Sequence, residues 1–185
     1  MKQRLFWILA VVLLVTAVHL AYVLFVPKLE MGRLLTAGSL EEGANRFIVL
    51  PERNAVLILG QQSRAFVQGI CVFDLGDGPV HVKLEMPQSY WMANVYSRSG
   101  DNIYSLNDRQ ISEVPFSIII ERQKSKLFGE EPEEEPIVQD AAFKVATRDR
   151  SGLLVVRVFV QDPAYRTRIT RVLGRSTCRS AGKSA

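Results

Sequence analysis

The stretch that decides the fold runs from Val67 to Met86 and reads VQGICVFDLGDGPVHVKLEM. Its second half alternates without a break. Val80, Val82, Leu84 and Met86 point one way, and His81, Lys83 and Glu85 point the other. A two-residue period with one apolar set marks a half-buried antiparallel strand. The first half is a strand-like apolar run that contains Cys71. Between the halves lies Gly76-Asp77-Gly78. Asp77-Gly78 is a strong hairpin signal, because both central residues of a type I′ turn need positive φ. Pro79 opens the second strand, where a first residue can forgo its ladder donor. The expectation is a hairpin turning at Asp77 and Gly78.

The next stretch, SYWMANVYSRSGDNIYSLNDRQ (Ser89 to Gln110), repeats the pattern. Trp91, Ala93 and Val95 alternate with Tyr90, Met92, Asn94 and Tyr96. SRSGDN supplies a turn, with Gly100 available for a left-handed position. A short strand returns over Ile103 to Leu106, and Asn107-Asp108-Arg109 turns again. Two hairpins in series account for these residue types, since Tyr, Trp and Val are strand formers. The sharper reading takes Tyr90, Trp91, Asn94, Tyr96, Asp101, Asn102, Asn107, Asp108 and Arg109 as a surface for a partner or a small polar ligand. The plainer one notes that its polar groups all fall at turns, where Asp and Asn are expected anyway.

Further outward, RFIVLP and NAVLILG (Asn54 to Gly60) read as short strands. So do PFSIIIERQ (Pro115 to Gln123), AFKVATR (Ala142 to Arg148) and GLLVVRVFV (Gly152 to Val160). In the last, Leu154, Val156, Val158 and Val160 make one apolar face, and Arg157 interrupts the other. GEEPEEEPIVQD (Gly129 to Asp140) reads as a solvated loop. Ser39 and Glu42 form an S-x-x-E capping box, which predicts a short helix over Leu40 to Asn45. A second helix is predicted from an Asp162 N-cap, Pro163 at N1 and Gly174 at C′. Its stripe of Tyr165, Ile169, Val172 and Leu173 would dock on the sheet. The fold class is therefore mainly β, an antiparallel sandwich or jelly-roll-like sheet, with helices at the ends.

The N-terminus is of another kind. From Leu5 to Val26 there are 22 residues without a charge. As a helix they span about 33 Å, the depth of a bilayer core. Trp7 and Tyr22 sit near its ends, at headgroup level, and Pro27 is expected to stop it. The alternative is a cleaved signal peptide. Lys2 and Arg4 suit one, but the apolar run exceeds a usual h-region and no A-x-A-like site ends it. Lys28 and Arg33 after the span nearly balance the charges before it. A very short basic N-terminus stays in the cytoplasm, so residues 27–185 are expected outside it.

This divides the 185 residues into a cytoplasmic N-terminus (1–4), a transmembrane helix (5–26), a connecting segment with a short helix (27–53), a β-rich periplasmic domain (54–173) and a disordered basic tail (174–185). Arg166, Arg168, Arg171, Arg175, Arg179 and Lys183 give the last 22 residues six positive charges and no negative one. Taking those six from the net +4 leaves −2 elsewhere. A basic end suits an anionic lipid surface or an acidic partner. The two cysteines, Cys71 and Cys178, read as a buried free thiol and a thiol in a Ser/Gly-rich tail. An exported chain could bridge them, though nothing in the spacing requires it.

Chemistry is thinly represented. There is no G-x-S-x-G, Walker loop or G-x-G-x-x-G. Metal ligation fails on inventory, because His19 lies in the apolar run and His81 on a strand face. No cofactor is implied. Nucleic-acid binding lacks a basic face with stacking aromatics. An enzyme acting on an envelope glycan or polar metabolite remains the rival reading, with Asp101 or Asp108 as acid/base and Arg109 as an anion clamp.

One resemblance bears on this choice. Val72 to Ile111 carries a D-L-x-D-G-P turn (Asp74 to Pro79), a Tyr90-Trp91 pair, Asp101-Asn102, and N-D-R-Q at Asn107 to Gln110. These resemble the bacterial domain of unknown function 1254, in its short membrane-anchored alphaproteobacterial members. The resemblance covers about 40 residues. It implies an anchor in the bacterial inner membrane, a β-rich periplasmic body and partnership with a companion membrane protein carrying domain 1214. It implies no reaction. The expectation is a single-pass inner-membrane protein displaying a binding or assembly module.

Overall fold

The computed structural model describes residues 2–51, 54, 65–111, 115–123 and 142–182. Helix α1 (Lys2–Glu42) is followed by strands β1 (Phe47–Leu50), β2 (Phe66–Asp74), β3 (Val80–Leu84), β4 (Trp91–Ser97), β5 (Asn102–Asn107), β6 (Phe116–Arg122), β7 (Ala142–Thr147) and β8 (Ser151–Phe159). A 3₁₀ turn (Pro163–Tyr165), helix α2 (Arg166–Leu173) and strand β9 (Thr177–Ser180) complete the chain. The strands form two sheets, ordered β1-β2-β8-β4-β5 and β7-β6-β3-β9. Every pairing is antiparallel except β6 with β7. The protein is mainly β, as its sequence periodicity predicts.

The two sheets face each other across one core. Val80, Val82 and Leu84 of β3 meet Leu154, Val156 and Val158 of β8 and Trp91, Ala93 and Val95 of β4 there. Trp91 stacks on Phe116 of the opposite sheet, with ring centroids 5.1 Å apart. The alternations read from β3, β4 and β8 are thus the inward faces of the sandwich. Ile169 and Leu173 of α2 are buried in the same core, whereas Tyr165 is 55% exposed.

Several expectations change. The Asp77-Gly78 turn exists, with Gly78 at φ 114°, but it is not a hairpin. β2 pairs with β1 and β8, while β3 pairs with β6 and β9 in the other sheet. The turn is a corner between sheets, because both strands can share one core from opposite sides. Likewise only the first of the two predicted serial hairpins forms. β4 pairs with β5, with a bulge at Val95/Tyr96, and the chain then crosses to the other sheet. At the C-terminal helix, Asp162 caps the 3₁₀ turn through Ala164 N–H at 2.8 Å. Gly174 is right-handed at φ −67°, not the left-handed cap expected of it.

The helix does not stop at Pro27. It runs on to Glu42 with Pro27 inside it. No separate helix starts at Ser39, whose hydroxyl donates to Thr36 O at 3.0 Å. The reason is a second core. Met31, Leu34 and Leu35 fall at i, i+3 and i+4 and pack on the outer face of the first sheet, against Ile70, Val72, Leu153 and Val155. An interior proline costs about 3 kcal/mol, and burying each large apolar side chain returns roughly 1.5–3 kcal/mol. Docking therefore outweighs the break. Among the described residues this is the one helix long and apolar enough to cross a membrane, and its apolar part is not buried against the protein.

The tail also differs. Residues 177–180 form β9 on the edge of β3, and Cys178 is disulfide-bonded to Cys71, so neither cysteine is free. Ser176 is buried and its hydroxyl accepts from Glu85 N–H at 3.0 Å. The expected strand over Asn54–Gly60 lies, beyond Asn54 itself, outside the described residues, as do the glutamate-rich loop and the last three residues.

Candidate functional site

The residues singled out in Ser89–Gln110 separate into four places. Trp91 is 3% exposed and belongs to the core. Tyr90, Asn94 and Tyr96 alternate with it and so lie on the outer face of the first sheet. Asp101 and Asn102 sit at the β4–β5 turn, and Asn107, Asp108 and Arg109 at the far end of β5. At about 3.3 Å per residue, Asp101 and Asp108 are roughly 20 Å apart. They are not brought together as an acid–base pair.

Each turn is made by these same polar groups. Asp101 Oδ2 accepts from Ser99 Oγ at 2.7 Å, and Asp101 N–H donates to Ser97 Oγ at 3.2 Å. Asn102 Nδ2 donates to Ser105 Oγ, which donates to Asn94 Oδ1, both at 2.8 Å. Asn107 Oδ1 accepts from Arg109 N–H at 3.0 Å, an Asx turn. Arg168, Arg171 and Arg175 are exposed, and Arg166 is half-buried, donating to Phe66 O at 3.4 Å.

The outer face of the first sheet is divided. Its Ile70–Val155 and Val72–Leu153 pairs lie under α1. Along the same strands the next pairs are Gln68–Arg157 and Phe66–Phe159. Gln68 is 4% exposed, yet among the described residues its Oε1 has no hydrogen-bond partner, nor has the buried Nε of Arg157. Phe66 and Phe159 meet edge to face at 5.7 Å. Phe159 and Tyr90 are 36% and 43% exposed. Ser89 Oγ donates to Phe159 O at 2.7 Å, which holds Tyr90 beside it. An aromatic and polar strip is thus offered where the helix does not reach.

A second feature escaped the sequence reading. A cleft of about 340 Å³ opens at one end of the sandwich, lined by Ala44, Asn45, Asp74, Gly76, Asp77, Arg150, Arg179 and Ser180. Asn45 adopts φ 61°. Its side chain donates to Asp74 O at 3.0 Å and accepts from Asp74 N–H at 2.8 Å, which fixes that backbone. Asp74 Oδ1 accepts from Gly76 N–H at 2.8 Å and from Arg150 Nε at 3.0 Å. A Cβ on Gly76 would meet the Arg150 guanidinium and displace it from this pose. Partial burial pushes the Asp74 carboxyl pKa up. The hydrogen bonds from Arg150 and Gly76 N–H, with the Arg150 charge, outweigh it and leave the group below its ordinary value.

A pH dependence follows. A depressed folded-state pKa contributes stability above the unfolded value of about 3.9, and loses it as pH falls through the lower folded value. The side chains of Arg150 and Asp74 are 67% and 39% exposed, so screening holds the contribution to about 1 kcal/mol or less. Asp74→Asn is expected to lower the urea midpoint at pH 7 and to match wild type near pH 2. An equal gap at both pH values would contradict the linkage.

No protein-family model matches the chain, and no curated protein matches it. Among solved structures, it is similar to the crystal structure of the VPA0106 protein from Vibrio parahaemolyticus. The TM-score is 0.61 at 13% identity, over 86% of this chain and 37% of that one. An uncharacterized protein from Burkholderia cenocepacia gives a TM-score of 0.46 at 11% identity, over 76% and 35%. The chain spans a little over a third of the length of either. The likeness to the first is one of fold.

Proposed function

We propose that this is a single-pass protein of a bacterial inner membrane that holds its β-sandwich in the periplasm as a binding or assembly module. The observation that carries the reading is the pairing of a 22-residue uncharged helix with a Cys71–Cys178 disulfide between the sheets. Disulfides persist in oxidising compartments and are rare in the cytosol. The same helix continues into the second core, so membrane and sandwich are joined by a docked rod and not by a loose linker. The resemblance of Val72–Ile111 to domain 1254 supports a companion membrane protein carrying domain 1214 as the partner. The strip at Tyr90, Phe66 and Phe159 is where we place the contact, since exposed aromatics beside buried polar atoms with no partner among the described residues suit an interface.

Protease treatment of spheroplasts tests the orientation, and a photo-crosslinker at position 90 tests the surface. The sandwich is expected to be accessible while a cytoplasmic marker stays protected. Position 90 is expected to yield an adduct with the companion-domain protein, and position 81, exposed on β3, none. A protected sandwich would sink the orientation. Equal adducts from both positions would sink the surface.

A further inference from the structure

The cleft at the end of the sandwich has a hydrogen-bond inventory that specifies its ligand. A guanidinium carries five N–H donors. Arg150 uses its Nε on Asp74, and its terminal nitrogens have no partner among the described residues. Arg179 reaches the same cleft from β9, in the other sheet, and its side chain has no ion-pair or hydrogen-bond partner among the described residues. Two of the lining acceptors are engaged within the frame. Asp74 takes Gly76 N–H and Arg150, and Asn45 Oδ1 takes Asp74 N–H. The lining therefore offers, beside the Asp74 and Asp77 carboxylates, the terminal nitrogens of two planar cations whose forks match carboxylate and phosphate geometry.

We propose that this cleft binds a small oxyanion, the carboxylate or phosphate group of a soluble metabolite, between Arg150 and Arg179. The frame is built before any ligand arrives. Asn45 in a left-handed conformation clamps Asp74, Asp74 orients Arg150, and Gly76 clears the space that the guanidinium occupies. A lipid phosphate is a poor match. About 24 Å of helix separates Val26, the end of the apolar run, from Glu42 just before the cleft, and the headgroup layer is only about 7 Å deep. The site is independent of which side of the membrane holds the sandwich, so its failure would leave the module reading untouched.

The test uses the full chain in nanodiscs of zwitterionic lipid, with thermal unfolding followed as inorganic phosphate replaces chloride at constant ionic strength. A ligand that binds only the folded state raises the midpoint in proportion to its saturation. Wild type is expected to show a saturable rise. Arg179→Gln, at an exposed position that leaves the fold unchanged, is expected to weaken the apparent affinity about tenfold or more, as is Gly76→Ala. Arg175→Gln, an exposed arginine outside the cleft, is expected to behave as wild type. No rise in wild type, or an equal rise in Arg179→Gln, would overturn the proposal. So would a rise produced by anionic-lipid nanodiscs and not by phosphate.

Discussion

Cys71→Ala/Cys178→Ala is expected to destabilise the sandwich by about 4 kcal/mol, and its midpoint of thermal unfolding to fall by about 10–15 °C. The bond joins residues 107 apart in sequence. Loop-closure entropy for a loop of that size is worth about 4.7 kcal/mol, reduced by whatever order the unfolded chain retains. The loss is also structural. β9 has only four residues, and Cys178 is its fully inward side chain at 3% exposure. Without the bond, that strand is held by its ladder on β3, the Ser176 hydroxyl, and the hydrogen bonds of Ser180 Oγ to Asp77 O and Ala181 N–H to Pro79 O. Calorimetry gives the size of the effect, and hydrogen exchange gives its place: amides of Thr177–Ser180 are expected to lose protection before those of β8. An unchanged midpoint would mean that the bond contributes nothing to stability.

The second large effect is expected where the membrane helix meets the sheet. Met31 and Leu35 are each 8% exposed in the outer core. Truncating one such side chain to alanine costs about 2–5 kcal/mol, and neighbours in one cluster do not add fully. Met31→Ala/Leu35→Ala is therefore expected to remove about 4–6 kcal/mol from docking. Freed from the sheet, residues 28–42 would form an isolated helix of about four turns, marginal in water. Arg33 lies within it, ion-paired with Glu30 on an exposed face. Trypsin is thus expected to cut the double variant at Arg33 at least ten times faster than wild type, releasing a fragment that begins at Leu34. Equal rates would show that the helix is held by something other than these two side chains.

The helix shows how a correct local rule loses to packing. Pro27 is a sound stop signal in isolation, and Ser39-x-x-Glu42 a sound start. Both were overridden because Met31, Leu34 and Leu35 had a surface to cover. That surface was legible in part: β2 is apolar on both faces, and a strand of that kind must be covered twice. The corner at Asp77-Gly78 carries the same lesson, since turn chemistry fixes a reversal of the chain but not the sheet its second arm joins.

The candidate surface was readable to the extent that alternation goes. Tyr90, Asn94 and Tyr96 share a face, and Trp91 does not, by the two-residue period alone. Asp101 and Asp108 were grouped because they are close in sequence, yet a strand carries them to opposite ends. The cleft was not readable, for its residues come from positions 44–45, 74–77, 150 and 179–180. No periodicity spans such intervals.

By itself the sequence determined the uncharged helix, the inward faces of β3, β4 and β8, and a mainly β fold, because these follow from hydropathy period and propensity within a few residues. Only the tertiary structure decided which sheet each strand joins, that the tail becomes β9, that Cys71 meets Cys178, and where two arginines share a cleft. Those are pairings between distant segments, set by burial in a common core, and local composition does not encode them.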